Sequence, residues 1–78
     1  MLDAISVAFG RIVQKRREAA GLSQEQLALA AGIDRSFVSK IEVGKVRLGL
    51  GIAKRIADAF GVPLNLVVAE AEAELEAG

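Results

Sequence analysis

The chain has 78 residues, with ten basic and ten acidic side chains, one Pro, three Phe and no Trp, Tyr, Cys or His. That length gives one domain near the lower limit for a self-sufficient core. The missing Cys and His exclude disulfides, Cys-ligated zinc, thiol nucleophiles and the commonest metal ligand and general base.

No apolar run is long enough to span a membrane. The N-terminus lacks the basic region and apolar stretch of a signal peptide, so a cytoplasmic protein with no membrane partner is expected. About half of the residues (53%) are hydrophobic, many of them Ala and Leu, a composition that favours helices. The net charge of zero hides an asymmetry. Residues 1–60 hold ten basic and six acidic residues, a balance of +4, and residues 61–78 hold four acidic ones, a balance of −4. A polyanion-binding body with an acidic tail over residues 70–78, turned elsewhere, fits this pattern. Charge alone favours the plainer reading, a helical domain with a solvated acidic end.

Five helices are predicted over the single domain, residues 1–78. The first spans Asp3 to Ala20, with Asp3 as N-cap, an apolar stripe of Ile5, Phe9, Ile12, Val13 and Ala20, and Gly21 as terminator. The second spans Gln24 to Ala31. Ser23 and Gln26 form a capping box, Leu22 and Leu27 a hydrophobic staple, and Gly32 stops the helix. The third spans Arg35 to Glu42, with Asp34 as N-cap and Gly44 closing it. The stretch VGKVRLGLG follows as a loop with three glycines and two cations. The fourth helix spans Leu50 to Phe60, with Leu50, Ala53, Ile56, Ala57 and Phe60 on one face and Gly61 after it. Pro63 then starts a fifth, Leu64 to Ala77. Its Ala/Glu alternation has a strand-like period, but Ala, Glu and Leu are strong helix formers and poor strand residues. No repeat and no interdomain linker is present.

The third helix separates its residue types sharply. At about 100° per residue, with Arg35 at the origin, Ser39 lies at about 40°, Ser36 at about 100° and Lys40 at about 140°, while Phe37, Ile41 and Val38 lie between about 200° and 300°. The polar arc has two cations, two small hydroxyls and no acid. An ordinary solvated face usually mixes signs. Arg can bond guanine O6 and N7 in a bidentate manner, Lys reaches the same atoms or a phosphate, and Ser reaches several base edges. The arc therefore suits a DNA major groove, with short side chains letting the helix approach the floor. The preceding helix supports this. Ala28 is a small residue where two helices must cross, and Gly32 permits a left-handed turn between them. Leu27, Ala31, Ile33, Val38 and Ile41 occupy interior positions. This is a helix-turn-helix pattern, whose second helix reads the groove.

On FGRIVQKRREAAGLSQEQLALAAGIDRSFVSKIEVGK and IAKRIADAFGVPLNLVV, about residues 9 to 68, the chain resembles the Xre-type regulators, the Cro and phage-repressor-like helix-turn-helix family. The resemblance implies an all-α, compact five-helix, lambda-repressor-like domain that binds double-stranded DNA as a two-fold dimer, with the helix-turn-helix at the second and third helices. It implies base contacts from Arg35, Ser36 and Lys40, with Ser39 beside them. It implies phosphate contacts from Gln24, from the helix start capped by Ser23, and from Lys45 and Arg47. Arg17 and Glu42 match a structural salt bridge between the first helix and the end of the third. The chain departs from the family pattern in RLGLGI, where no side-chain cap starts the fourth helix. A mobile loop and an unfixed Arg47 are the expectation there.

One short recognition helix reads few base pairs, so specific affinity needs two half-sites and a homodimer. Leu64, Leu66, Val67 and Val68 are more apolar than a small domain needs, and related proteins often dimerise through this region. They are the expected dimer surface, with Leu66 or Val67 also a candidate for the core. The acidic stretch repels phosphate and should face away from DNA. The function expected is a transcriptional regulator without cofactor or metal, resembling the restriction–modification controllers or small phage repressors. An antitoxin-like module that caps a protein partner through the acidic tail is the alternative. An enzyme is disfavoured. GKVRLGLG lacks Walker-type order and follows no strand, and no paired carboxylates stand near it.

Overall fold

Each helix ends where a local signal tells it to, and the five ends together set how the chain folds back on itself. The computed structural model describes residues 3–77, so Met1, Leu2 and Gly78, which the expected domain limits include, lie outside the described residues. The helices are α1 (Ala4–Ala19), α2 (Gln24–Ala31), α3 (Arg35–Glu42), α4 (Leu50–Phe60) and α5 (Leu64–Ala77), and no strand occurs among the described residues. Only α1 differs from the sequence-based limits. Asp3 stands outside it as N-cap, its carboxylate accepting the Ser6 N–H at 2.8 Å, and Ala20 closes it. The Ala/Glu stretch is helical to Ala77. Among the described residues no helix is long and apolar enough to cross a membrane.

Four helices stop in the same way. At α2 the N–H of Gly32 donates to the Leu29 carbonyl at 3.3 Å and that of Ile33 to the Ala28 carbonyl at 3.0 Å. At α3, Gly44 and Lys45 donate to Ile41 and Lys40 at 3.1 and 2.9 Å. Each pair is a Schellman closure, which requires a left-handed residue. Gly32 and Gly44 supply it at φ 70° and 75°. The turn between α2 and α3 is thereby set by backbone, with Arg55 Nη1 of α4 also donating to the Gly32 carbonyl at 3.2 Å.

The core gathers Phe9, Ile12 and Val13 of α1, Leu27, Ala28 and Ala31 of α2, Val38 and Ile41 of α3, Ala53, Ile56 and Ala57 of α4, and Val67 and Ala71 of α5. α1 is the central element, packing on α3 and α5, while α2 bridges α3 and α4. Four sequence-based placements change. Ala20, expected on the apolar stripe of α1, is exposed where that helix closes. Leu50 was expected on the buried face of α4 but is 79% exposed, because the first turn of that helix overhangs the core. Ile5 lies at the core edge, 38% exposed. Val67, expected at the dimer surface, is fully buried against its own chain and belongs to the core.

The seat of α3 on α1 depends on a residue whose role the sequence pattern hid. Gly10 lies in the middle of α1, where Gly normally costs about 1 kcal/mol relative to Ala. A Cβ placed there would lie 2.0 Å from the Ile41 carbonyl oxygen. The backbones of α1 and α3 meet with no side chain between them. Any larger residue must push α3 outward.

Candidate nucleic-acid interface

On α3, Arg35, Ser36 and Lys40 are exposed and Ser39 is half-buried, whereas Val38 and Ile41 have no exposed surface. The four polar side chains therefore share one outward face. Arg35, Lys40 and Lys45 form no ion pair among the described residues. Val43, at the end of α3, falls at about 80° on the same wheel, inside the polar arc, and is 62% exposed. The sequence reading passed over it because its type suggested the core. Asp34 occupies the N-cap position but its side chain makes no capping hydrogen bond, so the first N–H groups of α3 remain open.

The far end of α3 is fixed by a buried ion pair. Arg17 Nε donates to Glu42 Oε2 at 2.7 Å, and its Nη2 donates to Oε1 at 3.1 Å. The Arg17 side chain is 12% exposed and that of Glu42 2%. Arg17 also donates through Nη1 to the Leu22 carbonyl at 2.8 Å, tying in the α1–α2 connection. The hydrogen bonds with Glu42 hold the Arg17 guanidinium above its ordinary pKa against the opposing effect of burial. Such a pair is costly to bury unless its remaining polar atoms are satisfied. Here no buried side-chain polar atom lacks a partner among the described residues.

Gln24 joins this network. Its Nε2 donates to Glu42 Oε1 at 3.1 Å, so the side chain expected to grip a phosphate already links the start of α2 to the end of α3. One of its two amide protons remains. Ser23 and Gln26 form the reciprocal capping box, at 3.0 Å from Gln26 N–H to Ser23 Oγ and 2.8 Å from Ser23 N–H to Gln26 Oε1. The N–H groups of Gln24 and Glu25 have no intrahelical acceptor and face outward as donors.

The loop after α3, where mobility was expected, makes contacts with the start of α1. No side chain caps α4 at Gly49. Instead, α1 holds the loop. The Leu48 N–H donates to Ser6 Oγ at 3.2 Å, and Ser6 is only 5% exposed. Asp3 Oδ2 lies 3.4 Å from Arg47 Nε. Hydrogen bonds from Ser6, side chain first and backbone next, hold the Asp3 carboxyl below its ordinary pKa, and the Arg47 charge adds to this. Ser6 falls three residues before Phe9 and seven before Val13. A small hydroxyl on an otherwise apolar stripe was the signal that could have found it.

Two further cations of α1 face α5. Arg16 donates from Nε and Nη2 to both carboxylate oxygens of Glu70, at 2.7 and 2.8 Å, and Lys15 meets Glu74 at 2.9 Å. The acidic stretch is thus a docked helix and not a free tail. It packs on α1 and α4, whereas α3 packs on α1 and α2.

Comparison with known proteins fits this geometry. A helix-turn-helix family model matches residues 13–67. The control protein C.MunI of a Mycoplasma species is 32% identical over 74 residues, covering 94% of this chain and all of that protein. The restriction-modification controller protein C.AhdI of Aeromonas hydrophila has a similar structure, with a TM-score of 0.78 and 35% identity over 83% of this chain and 98% of its own. The clp gene regulator ClgR of Corynebacterium glutamicum, at 21% identity, shares the fold, with a TM-score of 0.84 over 91% of this chain and 92% of its own. The chain belongs to the Xre-type helix-turn-helix family of DNA-binding transcriptional regulators.

Proposed function

We propose that the protein binds a two-fold symmetric operator as a homodimer, with α3 in the major groove, and that it controls a restriction–modification system as its controller relatives are named for doing. The observation that carries this reading is the outward face of α3, whose cations have no ion pair among the described residues while its opposite side is locked to α1. Arg35, Ser36, Ser39 and Lys40 are the base readers. Ser23 and Gln24 with their helix N-terminus, and Lys45 and Arg47 beyond α3, meet phosphates.

The dimer surface, corrected for Val67, is Leu64, Leu66 and Val68 together with the overhanging Leu50 and Ile5. Leu66 is 40% exposed. Ile5, Phe9, Leu48, Leu50, Ala53 and Val68 border an apolar hollow of about 200 Å³. Exposed apolar groups around a hollow suit a self-complementary interface. The competing reading, a module that caps a protein partner through acidic residues, is weakened because Glu70 and Glu74 are already paired within the chain.

Selection from random double-stranded DNA tests the proposal. It should enrich an inverted repeat whose half-sites lie about 10 base pairs apart centre to centre. Sedimentation should show a dimer. Absence of any enriched sequence, or a monomer at tens of micromolar, would refute it.

A further inference from the structure

We infer that the first turn of α1 positions the DNA-contacting loop: the Ser6 hydroxyl and the Asp3 carboxylate set where Lys45 and Arg47 meet the phosphate backbone. This rests on the reading of Lys45 and Arg47 as phosphate contacts.

The loop from Val43 to Gly49 contains two glycines and leads into a helix with no side-chain cap. Left to itself, such a segment would lose considerable conformational entropy on being ordered against DNA. It meets the start of α1 at three points, two on the first turn and one, exposed, at the N-cap before it. At its start, Gly44 lies against Val7, close enough that a Cβ would come within 3.2 Å of Val7 Cγ2. Near its end, the Leu48 N–H is taken by Ser6 Oγ at 3.2 Å. Between them, Arg47 lies 3.4 Å from Asp3 through its Nε. Asp3 binds the Ser6 N–H with one oxygen and faces Arg47 with the other, so the cap and the loop contact are one unit. The Nε contact leaves the terminal nitrogens of the Arg47 guanidinium for a phosphate. Asp3 aims the group without using it up. Ser6 and Asp3 touch no base and no phosphate in this arrangement; they act through Lys45 and Arg47.

The test uses the full chain and the DNA it selects from a random pool. Ser6→Ala should weaken binding about tenfold, as for loss of contacts to charged groups. It should also reduce the slope of log affinity against log salt by about one, with base preference unchanged. In a Lys45→Ala/Arg47→Ala background the same substitution should change affinity less than twofold, since the residues it acts through are gone. A Ser6→Ala protein that loses thermal stability but keeps affinity and slope would overturn the inference, as would an equal loss in both backgrounds. Asp3→Ser covers the case in which Ser6→Ala fails to fold. It keeps a capping oxygen for Ser6 and removes the charge facing Arg47. A lower salt slope with no greater loss of stability than Asp3→Asn shows supports the aiming role. Affinity that rises instead shows Asp3 competing with phosphate and overturns that role. If Lys45→Ala/Arg47→Ala alone leaves affinity and slope untouched, the phosphate reading itself fails, and the inference falls with it.

Discussion

Three of the four cations of α1 are treated in the opposite way to those of α3 and its following loop; the fourth, Arg11, is exposed and has no ion pair among the described residues. Lys15, Arg16 and Arg17 are each matched by a carboxylate from another helix, Glu74, Glu70 and Glu42. Arg35, Lys40 and Lys45 have none among the described residues, and Arg47 has only a loose, exposed contact with Asp3. A chain of zero net charge can therefore keep a cationic face. Glu42, Glu70 and Glu74 neutralise cations that hold helices together and leave Arg35, Lys40 and Lys45 without ion pairs among the described residues. Total charge says little about a polyanion partner when pairing is this selective.

The contrast can be broken by experiment. Glu42→Ala should have the largest effect, because it strands Arg17 in a nearly dry site. Breaking such a pair costs about 3–5 kcal/mol, and urea unfolding will measure it; an unchanged midpoint would remove Glu42 from its structural role. Arg35→Ala should leave unfolding unaltered and weaken operator binding by about 1–3 kcal/mol, with relaxed preference at one base position. Binding titrations on single-base variants of the selected site will read this. Next comes a matched pair, Lys45→Ala and Arg16→Ala. Lys45→Ala should lower the salt slope by about one across all sequences. Arg16→Ala should leave the slope alone and cost about 0.2–1 kcal/mol of stability, as for a partly exposed pair. If Arg16→Ala altered the slope as much as Lys45→Ala, the division of charge would be wrong.

The smallest effect concerns pH. The Asp3 carboxyl has a lowered pKa in the folded protein, so its contribution to stability is fully present above the ordinary Asp value of about 3.9. It fades as pH falls through the lower folded value. Wild type should therefore exceed Asp3→Asn in thermal stability at neutral pH, and the two should converge in acid.

Much of the fold was legible because helix ends are local events. Ser23 with Gln26, and the glycines at 21, 32, 44 and 61, act within a few residues of themselves. The outward face of α3 was legible for the same reason, since eight residues suffice to compute it. What escaped depends on which helices meet. Nothing near Arg16 announces a partner 54 residues away in Glu70. Leu50 and Val67 both sat on apolar patterns, and only the packing decides that one overhangs the core while the other lies inside it. Gln24 was assigned to a phosphate by its position in the chain. Its bond to Glu42 appears only once α2 and α3 are crossed.

Gly10 carries a consequence for redesign. Because backbone rests on backbone where α1 meets Ile41, the depth of α3 at that point is set by a contact that no repacking of side chains could rearrange. The outward positions 35, 36, 39, 40 and 43 are thereby separable from the pose that presents them. Altering those letters should retarget the protein to a new operator without moving its scaffold, provided that position 10 stays bare.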